Sequence, residues 1–201
     1  GLVPLGFLDA AQRLAEQSVE EARRLAHPTS LCFAHSIVCR VYYLLRRMDA
    51  LAQHSAMVVR LADEHGLGLW RALGSIYAGW SRAESGAARE GVAMIRDGIA
   101  RYRAAGAALS LPLFLASLAS LEGATGNQRE ALELLGQAQA AGAAGDEHWI
   151  SAEIHRLTGE AMLAGNGNAA GAEREFQASL ALAREQGARL WELRAATSLA
   201  R

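Results

Sequence analysis

The sequence predicts an all-α fold built as a helical-repeat array of roughly ten helices, and three observations carry that prediction. Small residues recur every 40 positions inside apolar segments, at Cys39, Gly79, Ala119 and Gly159. A second series, Ala11, Leu51, Gly91 and Ala131, keeps the same step, with Ala172 one residue late. A third marks a turn in each unit at Gly6, Gly86 and Gly126, with Arg46 in place of the missing glycine. A fixed period in this range is the mark of stacked supersecondary units, which bury a continuous core only by packing on their neighbours.

Helical periodicity runs along the chain, and strand alternation is nowhere sustained. Apolar spacing predicts helices over 8–26, about 29–47 and 49–64, then 69–84, 88–105 and 111–124, and finally 129–141, 149–163, 170–186 and 190–201. Asp9 lies near the start of the first helix, and His27-Pro28 closes it. Thr29 or Ser30 is expected to cap the second helix and Asp49 the third, because short polar side chains accept from the free N–H groups of a first turn. Breaks are expected at Gly66, Gly106, Gly145 and Gly187 between repeats, and at Asp49, Gly86, Gly126 and Asn166-Gly167 within them. The whole of 1–201 therefore parses as one array. Four complete repeats (29–66, 69–106, 110–145, 149–187) are flanked by a partial one at each end. Gly1-Leu2-Val3-Pro4 is assigned no role. The apolar Leu190, Trp191, Leu193 and Leu199 of the last helix suggest that it caps the stack, meets further chain, or pairs with a second copy as a homodimer.

Composition excludes several function classes. With 51% hydrophobic residues, the chain can fill a core, and its net charge of −1 supplies no basic field for nucleic acid. Lysine is absent, so neither a P-loop lysine nor a Schiff-base lysine exists. No 18-residue apolar run and no signal-peptide pattern is present, which predicts a cytoplasmic chain without membrane contact. Cys32 and Cys39 sit seven apart on one helical face, where a disulfide has no workable geometry, so both are expected to be buried thiols.

The small residue in the first helix, the small residue opening the second and the glycine turn between them resemble tetratricopeptide (TPR) repeats, lengthened from 34 to about 40 residues. The usual first-helix tryptophan is replaced by His35, Ser75, Leu115 and His155, and the second-helix aromatic survives only as Phe176. Segments such as 66–70, 78–80, 152–160 and 193–201 resemble one bacterial family more specifically. It is the C-terminal TPR region of large signalling proteins, which place a class III adenylate/guanylate cyclase or a DNA-binding domain before a STAND-type ATPase. The chain is also similar in kind to the helical sensor of LuxR-type, maltose-activator-like regulators. The resemblance implies a right-handed superhelix with a regulatory and assembly role, in which cyclase and ATPase motifs belong to other domains. It implies no enzymatic activity and no cofactor for this region.

If the first helix of each pair lines a concave face, the inward offsets collect Phe33, Ser36, Arg40 and Tyr43, then Leu73, Ile76, Tyr77 and Trp80. The next two repeats add Leu113, Ala116 and Ser120, then Glu153, Arg156 and Glu160. Aromatic and arginine side chains dominate binding energies at protein interfaces. Tyr43, Tyr77 and Trp80 are therefore expected to grip an apolar part of a protein or peptide partner, with Arg40 meeting an acidic one. Another domain of the same parent chain is an equal candidate for that partner. The alternative is that several of these side chains form core between repeats. Ser36, Tyr77, Leu113 and Ser117 stand where a carboxylate clamp needs basic or amide groups, which argues against binding of chaperone C-termini.

Other constellations read as structure. Glu153, Arg156 and Glu160 share a face at i, i+3 and i+7 and are expected to form a salt-bridge ladder. Histidines 27, 35, 54, 65, 148 and 155 show no metal-ligand spacing, and Asp146-Glu147-His148 reads as a helix start. Gly165-Asn166-Gly167-Asn168 lacks the preceding strand of a phosphate loop and reads as a turn. Trp70, Trp149 and Trp191 each follow a break glycine by four residues and are expected to wedge the inter-repeat turns. The other partner class is a small-molecule effector held among Tyr43, Tyr77 and Trp80.

Overall fold

A computed structural model describes residues 1–201, apart from the side chain of Asn166. Ten α-helices follow one another: α1 (Leu8–Leu25), α2 (Pro28–Leu44), α3 (Met48–His65), α4 (Gly68–Glu84), α5 (Ala88–Ala104), α6 (Leu111–Ala124), α7 (Gln128–Gly145), α8 (Ser151–Asn166), α9 (Ala169–Glu185) and α10 (Arg189–Leu199). A 3₁₀ turn, His148–Ile150, leads into α8. No strand occurs among the described residues. Among the described residues, no helix is long and apolar enough to cross a membrane.

The 40-residue period of the sequence is a 20-residue period of the backbone. Apart from Ser110, the residues with positive φ are Gly6, Ala26, Arg46, Gly66, Gly86, Gly106, Gly126, Asp146, Gly167 and Gly187. Successive members stand 20 apart, with one interval of 21 between Asp146 and Gly167. At most of these turns the next N–H reaches back five residues. Arg47 donates to the Tyr42 carbonyl, Leu67 to Ala62, Ala87 to Arg82, Ala107 to Tyr102, Asn127 to Glu122, Glu147 to Gly142 and Ala188 to Ala183, at 2.8–3.2 Å. This is the Schellman closure, in which one left-handed residue lets the chain reverse while an orphan helix carbonyl is satisfied. Three turns carry an ion pair across them, Asp63–Arg71, Arg82–Glu90 and Arg184–Glu192, all solvent-exposed and each worth at most about 1 kcal/mol.

The caps differ from expectation in instructive ways. His27 does not close α1. Its ring accepts from the Ser30 N–H and caps α2, and Pro28 takes the first helical position, where a missing N–H costs nothing. Met48 begins α3, which places Asp49 within the first turn, where a carboxylate complements the helix dipole. Gly145 remains helical, and Asp146 takes the left-handed turn. The turn expected at Asn166-Gly167 is made by Gly167, and the Asn166 side chain lies outside the described residues.

The chain forms two compact units. The N-terminal unit, Phe7–Ala107, contains α1 to α5. Each helix packs on the next, and α2 also meets α4, so α3 seats against both. Ala11, Ala15, Val19 and Ala22 of α1 are buried at helical spacing. α4 and α5 approach most closely, backbone against backbone, through Gly79, Gly91 and Gly98.

The C-terminal unit, Ala108–Arg201 with Val3–Gly6, contains α6 to α10. Here α6 meets α8 and α8 meets α10, with α7 packed on both α6 and α8 and α9 on both α8 and α10. Gly159 of α8 seats against Phe176 and Ala172 of α9. Val3 and Pro4, given no role by the sequence, are buried, and the Pro4 carbonyl accepts from the Leu190 N–H at 3.0 Å. An otherwise orphan donor in the first turn of α10 is thereby satisfied.

Candidate interaction face

In the N-terminal unit, α2 and α4 stand side by side and carry the aromatic residues picked out by the sequence. Phe33 is 55% exposed and meets the edge of Trp70, with ring centroids 6.1 Å apart. Arg40, Tyr43 and Leu73 are half-buried. The Tyr43 ring packs edge-on against Trp80 at 4.8 Å, and the Arg46 guanidinium lies 5.7 Å from the centre of the same indole. Tyr77 and Trp80, expected to grip a partner, are 4% and 2% exposed and belong to the packed interior. Burial pushes the Tyr77 phenol well above its ordinary value, opposed by the nearby Arg40 cation. The Trp80 Nε1 has no hydrogen-bond partner among the described residues. Ser36 and Ile76 are buried as well. The physical reason is that α4 is flanked by α2, α3 and α5 together, which covers side chains well beyond a single stripe. What remains accessible is the ledge of Phe33, Trp70, Leu73, Arg40 and Tyr43.

In the C-terminal unit, Leu113 and Ala116 are interior, and Ser120 is half-buried. Glu153, Arg156 and Glu160 do form the expected ladder. Arg156 reaches Glu153 through two nitrogens, at 2.8 and 2.9 Å, and Glu160 at 3.1 Å. The ladder extends to α10, where Arg194 donates to Glu153 at 3.0 Å and the Ser198 hydroxyl donates to Glu160 at 2.7 Å. The Glu153 side chain is only 8% exposed, so its carboxylate depends on these two arginines, whereas Glu160 is 41% exposed. The period could have found Arg194, which stands 41 residues after Glu153; Ser198 carries no such signal.

A cleft of about 320 Å³ opens between α6, α7 and α8, lined by Ala119, Ser120, Gln128, Leu135, Arg156 and Glu160. Small side chains on α6 and α8 leave this space. Trp191 alone of the three periodic tryptophans is fully buried, and its Nε1 donates to the Trp149 carbonyl at 3.0 Å. Trp149 and Trp70 are half-buried. Glu147 accepts from the Ser110 N–H and from Trp149 Nε1, tying the start of α6 to the turn before α8.

Cys32 and Cys39 are buried free thiols. Burial raises both, so neither is a thiolate at neutral pH. Among the described residues, no three His, Cys, Asp or Glu side chains are grouped to hold a metal ion. One pairing was not legible in the sequence. His35 and His54, on α2 and α3, bring their Nδ1 atoms to 2.9 Å.

No family model matches the chain. Over 154 residues it is 27% identical to an uncharacterized protein of Rhizobium meliloti (strain 1021). That match covers 75% of this chain but only 15% of the longer protein.

Proposed function

We propose that this chain is a TPR-like, right-handed repeat module that binds protein and regulates the larger bacterial signalling protein it serves, one with cyclase, ATPase or transcription-regulating domains. The observation that supports this reading best is the succession of left-handed turns every 20 residues, closed by one hydrogen-bonding pattern. Helix pairs repeated in this way stack into arrays whose inner helices form an extended binding surface. The similar Rhizobium protein is several times longer than the matched stretch, as expected for a module within a larger chain. The module is read as cytoplasmic and non-catalytic, and it binds a protein segment on the ledge of Phe33, Arg40, Tyr43 and Leu73.

The test is capture of partners from the source cell by wild type and by Phe33→Ala/Arg40→Ala, with equal melting confirmed for the pair. A partner retained by wild type and lost by the variant supports the reading; equal recovery contradicts it. Tyr77→Ala and Trp80→Ala are unsuitable here, since both residues are interior and their loss would disturb folding. Cyclase and ATP-hydrolysis assays on this chain should give background, and reproducible turnover would refute the non-catalytic reading.

A second reading, a small-molecule sensor, is favoured by the C-terminal cleft, whose 320 Å³ falls at the lower end of ligand-site volumes. Of the aromatic trio expected in that role, Tyr43 packs edge-on against Trp80, and both Trp80 and Tyr77 are interior. A Ser120→Trp substitution would fill the cleft and abolish effector-induced stabilisation if this reading holds.

A further inference from the structure

We propose that His35 and His54 form an acid-sensitive latch, which holds α1, α2 and α3 of the N-terminal unit together when uncharged and releases them when both rings are protonated. The geometry carries this. The two Nδ1 atoms face each other at 2.9 Å, with ring centroids 5.0 Å apart. Such a pair needs one ring to donate and the other to accept, so the shared axis has room for a single proton. One positive charge on the pair preserves the hydrogen bond. A second would aim two N–H groups at one another across the same 2.9 Å.

The surroundings make the second proton costly. His35 is 4% exposed, and Tyr42 packs against His54 at 5.6 Å. From α1, Glu16 accepts from the Tyr42 hydroxyl and faces His54, while the Arg23 cation acts on both rings. Glu16 is the one nearby group that favours a charged imidazole, and Tyr42 and Gln12 already occupy it. Burial, then His54, then Arg23 push His35 from 6.5 down to about 4. Burial lowers His54 too, with Glu16 opposing.

The direction of the pH effect follows. Both rings are less basic in the closed structure than in an opened one, so the opened chain binds more protons between pH 6.5 and about 4. Stability of the α1–α3 junction is complete above pH 6.5 and falls as the pH drops toward 4. Hydrogen bonds hold the Glu16 carboxyl below 4.5, so its own contribution is lost only at lower pH.

Amide hydrogen exchange at pH 7 and pH 5, corrected for intrinsic rates, tests the latch in the whole chain. Protection in α1–α3 should fall about tenfold or more, as one unit of lost protonation linkage implies, while residues 108–201 hold theirs. His54→Gln keeps a neutral hydrogen-bonding group but removes one titrating ring and its charge from beside His35, and should make that fall measurably smaller, with burial of His35 leaving a remainder. An unchanged pH response in His54→Gln, or an equal loss across both units, would overturn the proposal. Imidazole titration by NMR in the wild-type chain decides the matter if the variant misfolds. A coupled pair titrating below the ordinary imidazole value of 6.5, together with the loss of α1–α3 protection, supports the latch; two independent titrations near 6.5 refute it.

Discussion

Gly79 and Gly91 face each other across α4 and α5 with no room for a methyl group on either. A Cβ on Gly79 would lie 2.8 Å from the Gly91 carbonyl oxygen, and one on Gly91 would lie 2.4 Å from that of Gly79. The obstacle is backbone, which cannot step aside as a side-chain tip can. Gly91→Ala should therefore destabilise by about 1–3 kcal/mol despite the better helix propensity of alanine. Gly136, exposed in mid-α7 with nothing within 4 Å, is the control. Gly136→Ala should stabilise by up to about 1 kcal/mol. Urea unfolding of the two variants reads both signs.

Ala26 takes φ +49 where most other turns use glycine. A left-handed alanine carries about 1–2 kcal/mol of steric cost that glycine avoids. Ala26→Gly is expected to raise the melting temperature by roughly 2–6 °C. A lowered melt would show that Ala26 is held by contacts its methyl group makes.

The periodic tryptophans are not equivalent. Trp191→Ala empties a fully buried site and removes the bond to the Trp149 carbonyl, and should cost about 3–5 kcal/mol. Half-buried Trp149 should cost clearly less when changed to alanine. Thermal melts that reverse this order would contradict the packing described.

The carboxylates of the α8–α10 network should separate by burial. Glu153→Ala leaves Arg156 and Arg194 without their shared carboxylate in a nearly closed site, and about 3–5 kcal/mol is expected to be lost. Glu160→Ala, at a partly exposed position, should cost no more than about 1 kcal/mol and less in high salt. Chemical denaturation at two salt concentrations distinguishes them.

Helix number and the 40-residue step were legible because small residues and turn glycines must recur wherever two helices approach and the chain reverses. Every expected helix is present, most with both ends within a residue or two. The failures are local. His27 and Pro28 looked like a stop signal but serve as a start, since a ring nitrogen can accept as a hydroxyl does. The expected helix 129–141 stops short of the observed end at Gly145, because the alanine- and glycine-rich final turn shows no apolar period. The face assignments fared worse. Spacing places Phe33 and Tyr77 on inner helices alike, but only the neighbours packed around α4 decide that one is exposed and the other interior. The His35–His54 contact depends on the relative rotation of α2 and α3, which the spacing of two histidines does not specify.

The most direct measurement places a photo-crosslinking phenylalanine at position 33, on the exposed ledge, and separately at Ala93, exposed on α5. Irradiation in the source cell should yield a discrete protein adduct, or a crosslink to another domain of the parent chain, from position 33 alone. Adducts from Ala93 but not from 33, or no adduct from either at full expression, would contradict the assignment of this face as the one that binds.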